Sequence, residues 1–417
     1  MSASPGLAIA AAVMGGVTLF VVAAAAASKL QANDDANDVR PRGGIRLAQT
    51  QQIEATPLTW DDDEGAWMIT MQLGNSSVQL VLDSGSGQIS AKGKHCKFTT
   101  CEGDSCTTQK CPCGKNSDGS SRKNCSAHSY TPSGQRLDPG QNGAGLDTVL
   151  SFGTQQDSVT HYKETVSLEL ASLSCSDLMT TPQTAHPHVT HMHTLPEDIV
   201  VHLIHAIKGT SSSNICGMSR PTPTGVPVVL SYMLAGAPAH TWSVILHERG
   251  GWFAIGAFSA CFVPAYCPLV WPPSFSNFHT RFYVVRLKAL QVGGVGAAPF
   301  RTLSVQDTPQ FVVLDTGTTC TYAPPELGGK LRAIDWREQH SSMRLVLENG
   351  VELTYNTQQL QDPDDPGRSV FNCDPHTTLE DFDNIFAVPT ILLGAVMMRD
   401  MYWEYDLDNE RVGIARV

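Results

Sequence analysis

The sequence predicts a mainly β protein made of two halves that share one sequence pattern. Gly and Pro account for 35 and 25 of the 417 residues, and the apolar segments are short runs separated by turn residues, as is typical of strands. The pattern itself occurs twice. An apolar run leads into Asp, a hydroxyl residue, Gly and a second hydroxyl residue, as VQLVLDSGSG at 78–87 and QFVVLDTGTT at 310–319. A repeat of this kind indicates duplicated halves.

Composition excludes several classes of protein. The chain has 28 Lys and Arg against 40 Asp and Glu, a net charge of −12, and we find no basic cluster that would form a nucleic-acid surface. With 41% hydrophobic and 16% charged residues, the chain can bury a sizeable core, so it is not a disordered protein. The same composition argues against a helical repeat array.

The N-terminus predicts entry into the secretory pathway. Residues 6–27 are uncharged and mostly apolar, and about 20 such residues suffice to span a bilayer. The segment lacks a basic start, but Ala25 and Ala27 offer a small-x-small cleavage site before Ser28. Residues 1–27 are therefore either a cleaved signal peptide or a signal-anchor that tethers the protein to a membrane. Residues 28–55 are polar and are interpreted as a linker or a short pro-segment.

Twelve cysteines support an oxidising compartment. Six of them lie between Cys96 and Cys125, and this stretch is interpreted as a disulfide-stapled insertion. A zinc site is the alternative, with unusual spacing between the ligands. In the second half, we predict a Cys320–Cys373 pair. Asn75 and Asn124 begin glycosylation acceptor patterns, so the part of the chain after residue 27 is expected to be lumenal or extracellular.

The chain between residues 56 and 417 reads as strands with few helices. AWMITMQLGNSSVQLVLDSG and LDTVLSFGTQQDSVTHYKETVSLEL each predict a pair of strands around a polar turn. THMHTLPEDIVVHLIHAI is the one predicted helix of the first half, and TILLGAVMMRDMYWEYDLDNERVGIARV predicts a strand, a short helix and a hairpin. A Pro-rich stretch near Pro264–Pro273 places the boundary between an N-terminal half, 56–270, and a C-terminal half, 271–417.

The histidines before and within the predicted helix form a cluster in the sequence. A metal site is possible there, but most of these residues flank a Pro-containing loop with no fixed geometry, so we interpret them as part of a polar surface insertion. They are His186, His188, His191, His193, His202 and His205.

The repeated motif points to acid–base chemistry. Asp83 and Asp315 each follow an apolar strand. Later in each half, a second motif of two apolar residues and Gly occurs, at Ile215–Gly217 and Leu392–Gly394. If the two turns meet, the two carboxyls become neighbours that cannot both ionise, so they share one proton. One then acts as a general base on water and the other donates to a carbonyl oxygen, which hydrolyses an amide without a metal or a cofactor. The alternative is that each Asp only caps a turn.

These motifs resemble those of the pepsin-like aspartic protease family. LVLDSGSGQIS and FVVLDTGTTCTYAPPEL resemble its two active-site motifs, and ILLGAVMMRDMYWEYDLDNERVGIA resembles its C-terminal signature. The resemblance implies two pseudo-symmetric β lobes with a cleft that binds an extended peptide, and a monomeric endopeptidase acting on peptide or protein substrates. It implies that Asp83 and Asp315 are catalytic, that Ser84 and Thr316 brace the loops, that Ser86 and Thr318 hydrogen-bond the carboxylates, and that Gly85 and Gly317 line the floor.

Two positions depart from the family pattern. Ser90 stands where the family usually has Trp, and Phe152 is the best counterpart of the family's flap tyrosine, with Tyr162 and Tyr130 as alternatives. The Cys-rich stretch resembles the nepenthesin-like or protist protein-export branch. Because of the two departures, a non-catalytic relative that uses the fold as a binding or inhibitory module is the alternative function.

Overall fold

The structure is a computed structural model, and every residue it describes lies in the compact unit Arg40–Val417. It describes residues 53–62, 64–102, 105–111, 129–137, 149–152, 155–182, 189–208, 213–221, 228–258, 260–271, 282–293, 299–303, 309–334, 342–361, 369–371 and 388–417. The predicted signal or anchor segment, 1–27, lies outside these ranges. The first strand begins at Ile53, within the last residues of the predicted linker.

Most of the N-terminal half forms one large sheet, which the last two strands of the chain also join. Its strands are β1 (Ile53–Asp61), β2 (Ala66–Leu73), β3 (Ser76–Asp83), β4 (Ile89–Glu102), β5 (Ser105–Lys110), β6 (Gln135–Leu137), β7 (Val149–Phe152), β8 (Gln155–Glu164), β9 (Val166–Leu173), β10 (Val189–Thr194), β11 (Ile199–Lys208), β12 (Ile215–Gly217), β13 (Thr241–Leu246), β14 (Gly250–Ile255), β15 (Ala265–Pro268), β22 (Met401–Asp406) and β23 (Arg411–Arg416).

The C-terminal half contributes a second, six-stranded sheet. It is ordered β20-β19-β16-β18-β21, with β17 paired to β16. Its strands are β16 (Tyr283–Gly293), β17 (Arg301–Thr302), β18 (Phe311–Asp315), β19 (Ser342–Leu347), β20 (Glu352–Tyr355) and β21 (Thr390–Gly394). The described helices are short: α1 (Cys175–Leu178), α2 (Val229–Met233), α3 (Pro325–Arg332) and the 3-10 turns Glu348–Gly350, Gln358–Leu360 and Ala395–Met398. The prediction of a mainly β fold is confirmed.

The two halves repeat one local arrangement. In the first, β3 lies parallel to β12, with Asp83 beside Gly217; in the second, β18 lies parallel to β21, with Asp315 beside Gly394. The motif of two apolar residues and Gly therefore lies in the strand that pairs, in parallel, with the Asp-bearing strand of the same half. This pairing explains why both motifs occur in both halves.

One core runs through both sheets. Its large side chains include Trp67 and Trp242 from the first sheet, Tyr283 from the second, and Trp403 from the C-terminal hairpin, all of them fully buried. Trp242 on β13 stacks on Tyr405 of β22 with ring centroids 4.0 Å apart. Burial of a large side chain stabilises the fold by roughly 1.5–3 kcal/mol, and the Trp242–Tyr405 stack joins the C-terminal hairpin to the middle of the chain.

The predicted helix within THMHTLPEDIVVHLIHAI is wrong. The segment forms β10 and β11, and β11 lies between β4 and β8 in the sheet. The run Ile199–Val201 is β-branched, which favours strands, and the spacing of the apolar residues fits a strand covered on both faces as well as it fits a helix. Pairing on both sides decided between the two.

The cysteines of the described residues are largely oxidised. Cys96 pairs with Cys111 inside the Cys-rich stretch, and Cys175 pairs with Cys261. Cys320 is also disulfide-bonded, whereas its predicted partner Cys373 lies outside the described residues. Because Cys96 and Cys111 are joined to each other, they are not thiolate ligands of the zinc site considered above. None of the described helices is both long and apolar enough to cross a bilayer.

Candidate active site

Asp83 and Asp315 occupy equivalent positions at the ends of β3 and β18. Both strands are buried at the end that carries the Asp, so each carboxyl is shielded from water. Asp83 is 8% exposed and Asp315 is 7% exposed. A glycine is required opposite each Asp. A methyl group at Gly217 would lie 2.5 Å from the backbone nitrogen of Gln88, in the loop that follows Asp83. At Gly394 a methyl group would overlap the backbone of Cys320, in the corresponding loop.

Each loop turns back to donate hydrogen bonds to its own carboxyl. In the first, the Gly85 N–H donates to Asp83 Oδ1 at 2.7 Å and Ser86 Oγ donates to Asp83 Oδ2 at 2.5 Å. The second repeats this with Gly317 N–H to Asp315 Oδ1 at 3.0 Å and Thr318 Oγ1 to Asp315 Oδ2 at 2.8 Å. Ser86 and Thr318 therefore make equivalent hydrogen bonds, each to Oδ2 of the Asp in its own loop.

The two loops are bonded to each other across the halves. The Ser84 N–H donates to Thr316 Oγ1 at 3.0 Å, and the Thr316 N–H donates to Ser84 Oγ at 2.9 Å. Each hydroxyl then donates onward to the opposite strand: Ser84 Oγ to the Leu314 carbonyl at 2.9 Å and Thr316 Oγ1 to the Leu82 carbonyl at 2.5 Å. Both side chains are fully buried, so this reciprocal set fixes the spacing of the two Asp-bearing strands.

The carboxyls consequently meet. A methyl group on Gly85 would lie 2.9 Å from Asp315 Oδ1, and one on Gly317 would overlap Asp83 Oδ1. Each glycine thus lies against the carboxyl of the other half. The two carboxyl groups are therefore close enough for each to shift the pKa of the other. Two buried carboxyls this close cannot both be ionised, so one of them holds a proton.

The electrostatics assign that proton to Asp315. The pKa of Asp315 is raised to about 7, mainly by burial and in addition by the neighbouring charge of Asp83. Burial also raises the pKa of Asp83, but hydrogen bonds from Ser86, Gly85 and Asp315 work in the opposite direction. At pH values below the pKa of Asp315, the pair holds one proton over an intermediate range, and these shifts favour a carboxylate on Asp83 and a carboxylic acid on Asp315.

The backbone beneath Asp83 is held by a polar chain that sequence reasoning missed. The Met218 N–H donates to the Asp83 carbonyl at 2.6 Å, Tyr283 Oη donates to the Met218 carbonyl at 2.7 Å, and Trp242 Nε1 donates to Tyr283 Oη at 2.9 Å. Tyr283 belongs to the second sheet, so this chain also joins the two halves. Only its position beside Val284 and Val285, at the buried apolar start of β16, could have singled out its hydroxyl.

Cys216 lies beside Asp83 but does not have the properties of a nucleophile. Its thiol is fully buried, and burial followed by the charge of Asp83 raises its pKa to about 12. A thiol becomes reactive when its pKa is lowered, so this one stays protonated and acts as a packing residue.

The hairpin β7–β8 contains the flap candidate. The backbone of Phe152 pairs with Gln155 at the end of the hairpin, and the Phe152 side chain lies outside what the structure describes. Of the alternative tyrosines, Tyr162 lies further along β8, beyond the part that pairs with β7, and Tyr130 lies before β6. Tyr130 is buried and donates to Glu164 Oε1 at 2.6 Å, and Tyr162 packs edge-on against its ring, with centroids 6.4 Å apart.

The histidine cluster separates into surface and buried members. His191 is exposed and faces Glu54, at 3.5 Å from Oε1, whereas His202 is only 9% exposed and Nδ1 lies 2.7 Å from Nδ1 of His161. The prediction of a polar surface insertion is therefore wrong for His202. His161 was missed, because only the pairing of β8 with β11 brings it opposite His202. His186 and His188 lie outside the described residues. Among the described side chains, no three His, Cys, Asp or Glu residues form a metal-binding group.

Comparison with known proteins shows the fold. No family model matches the sequence, and no curated protein matches it. The structure is similar to the crystal structure of the aspartic proteinase from Irpex lacteus, with a TM-score of 0.51 and 13% sequence identity, covering 88% of this chain and 98% of that chain. At this identity the likeness establishes architecture alone. The chain has the bilobal, mainly β fold of pepsin-like aspartic proteinases.

Proposed function

We propose that the protein is an aspartic endopeptidase whose catalytic pair is Asp83 and Asp315. The observation that carries the proposal is the close approach of these two buried carboxyls, each held by its own loop and braced against the other half. A turn-capping role requires neither the contact between the carboxyls nor the reciprocal bonds of Ser84 and Thr316.

The proposed reaction uses the one proton of the pair. The Asp83 carboxylate takes a proton from a water molecule as the water oxygen attacks the scissile carbonyl carbon. Asp315 gives its proton to the carbonyl oxygen, so the intermediate is a neutral diol. Collapse of the diol breaks the C–N bond, the amine leaves with a proton from Asp83, and Asp315 regains its own. The pair ends in its starting state, and no metal or cofactor takes part.

The substrate class is an extended polypeptide, in keeping with the cleft of the fold, and the proposed compartment is the secretory pathway. The Cys96–Cys111 and Cys175–Cys261 disulfides support an oxidising environment. Asn75 is exposed in the turn between β2 and β3, where an N-linked glycan would meet no steric obstacle. A mass shift on removal of N-glycans that is smaller in Asn75→Gln than in the wild type, by the mass of one glycan, tests that assignment.

Cleavage of a peptide mixture by the purified full-length chain tests the activity. Asp83→Asn and Asp315→Asn should each lower kcat/KM by roughly 10²-fold or more, and a statine-type transition-state mimic should inhibit the wild type. Asp408→Asn, which removes an exposed carboxylate, is the matched control and should cleave normally. Cleavage that survives both active-site substitutions would refute the proposal.

The second candidate function is a non-catalytic peptide-binding protein. Ser90 and Phe152, which replace a tryptophan and a tyrosine of the family pattern, are the observations that favour it. Binding of the statine-type mimic with no turnover of any peptide would identify this case.

A further inference from the structure

A buried pair of imidazoles joins the β7–β8 hairpin to the body of the sheet. His161 lies on β8 and is 1% exposed, and His202 lies opposite it on β11. Their Nδ1 atoms are 2.7 Å apart and their rings are nearly perpendicular, with centroids 4.8 Å apart. A bond between two Nδ1 atoms requires one N–H donor and one bare acceptor. Burial and the adjacent His161 lower the pKa of His202 to about 3, which keeps its ring neutral.

The pair lies on a direct route through the sheet from the candidate active site. Asp83 on β3 is beside Gly217 on β12, and β12 places Ile215 beside Ser90 on β4. Ser90 in turn is opposite His202. The hydrogen bond therefore links the strand that leaves the Asp83 loop, through β11, to the second strand of the hairpin that carries Phe152. Ser90 is small and fully buried, which leaves space for an imidazole at the neighbouring position.

We propose that the hydrogen bond between His161 and His202 is a positioning contact that holds the β7–β8 hairpin in the orientation needed to bind an extended peptide. The inference rests on the proposed function, because it assigns this hairpin the role of the flap. Neither histidine belongs to the loops that hold the carboxyl pair, so the bond is expected to affect how tightly peptide is held and to leave the chemical step unchanged.

The same two strands carry a matched contact on the exposed face. Thr160 Oγ1 lies 2.6 Å from His205 Nε2, again between β8 and β11. Water can replace an exposed hydrogen bond, whereas a buried one has no such substitute. His205→Gln is therefore the control for a histidine change on β11.

The test measures kcat and KM for a long peptide, and Kd for a statine-type peptide mimic, in the full-length chain. His202→Leu should raise KM and Kd by about 10-fold, as expected when a buried hydrogen-bonding group loses its partner, with kcat changed less than about 3-fold. His202→Asn should restore most of the binding, because its amide can again bond to His161 Nδ1. His205→Gln should match the wild type.

Several outcomes would overturn the inference. One is that His202→Leu and His205→Gln have equal KM and Kd. The others are that His202→Leu lowers kcat alone, or that His202→Asn binds peptide no better than His202→Leu. If His202→Leu does not fold, the double variant His161→Leu/His202→Leu removes both polar groups and leaves neither unpaired, and it should show the same weakened binding. Failure of the wild type to cleave any peptide refutes the proposed function instead. The Kd comparison still decides the role of the pair in that case.

Discussion

Glycines set the geometry of the site at the residue scale. Gly217 and Gly394 face the loops that follow Asp83 and Asp315, and both are packed against backbone atoms that have no freedom to move away. Gly85 and Gly317 lie against the carboxyl of the opposite half. A side chain at any of these four positions would separate groups that must touch, so each glycine is needed for its lack of a Cβ and for no other property.

Gly217→Ala should therefore destabilise the protein and impair the site. The added methyl would lie 2.5 Å and 2.6 Å from backbone atoms of Gln88 and Ser86, and overpacking of this kind costs about 1–3 kcal/mol. Thermal unfolding and peptide cleavage measure the effect. Gly329→Ala is the control, since nothing lies within 4 Å of that position in α3, and it should be neutral or stabilising. Equal melting temperatures in the two variants would contradict the packing argument.

The elements that support the site differ in how far the sequence alone specifies them. The β2–β3 hairpin and the closing strand, short helix and hairpin were predicted correctly, because Gly74–Asn75 marks the turn and the apolar runs have strand lengths. The strand β11 was predicted as a helix, because its apolar spacing fits both structures and only its neighbours β4 and β8 decide between them. The residues of the carboxyl pair followed from a repeated motif. The Tyr283 chain and the His161 partner depend on which strands become adjacent, and no local pattern records that.

Among the elements, the β4–β5 hairpin is expected to owe part of its stability to the Cys96–Cys111 disulfide. The bond closes a loop with a sequence separation of 15 and packs with Phe98 and Val159 in a small separate cluster. Closing a loop of this length stabilises a fold by about 3 kcal/mol. Cys96→Ala/Cys111→Ala should lower the denaturation midpoint accordingly. Cys216→Ala, which removes a buried free thiol, should cost less, and a double variant as stable as the wild type would show that the hairpin does not need the bond.

The whole molecule is a pair of halves held in register at the carboxyls. The reciprocal bonds of Ser84 and Thr316, the Tyr283 chain, and the Trp242–Tyr405 stack all connect parts that are far apart in the sequence. Because these contacts converge on the loops that carry Asp83 and Asp315, the spacing of the carboxyls depends on the joint between the halves. We expect stability and activity to be coupled through it.

A double-mutant cycle tests this coupling. Ser84→Ala and Thr316→Ala should each destabilise the protein by about 1–3 kcal/mol, and the double variant should lose less than the sum, because each single change already breaks the shared bonds. Ser84→Ala combined with Ser243→Ala should be additive, since Ser243 donates to the Gly256 carbonyl and shares no partner with Ser84. Additivity in both pairs would show that the cross-bonds do not hold the halves together.

The pH dependence of kcat/KM, measured from about pH 3 to about pH 9, tests the one-proton carboxyl pair most directly. The pKa of Asp315 is raised to about 7, so activity should fall as the pH rises through that value and Asp315 loses the proton it must donate. It should fall again at the acid end, where Asp83 becomes protonated and can no longer act as a base. A bell-shaped profile with its alkaline limb near neutrality is the predicted result. Activity that continues to rise through pH 9 would contradict the account.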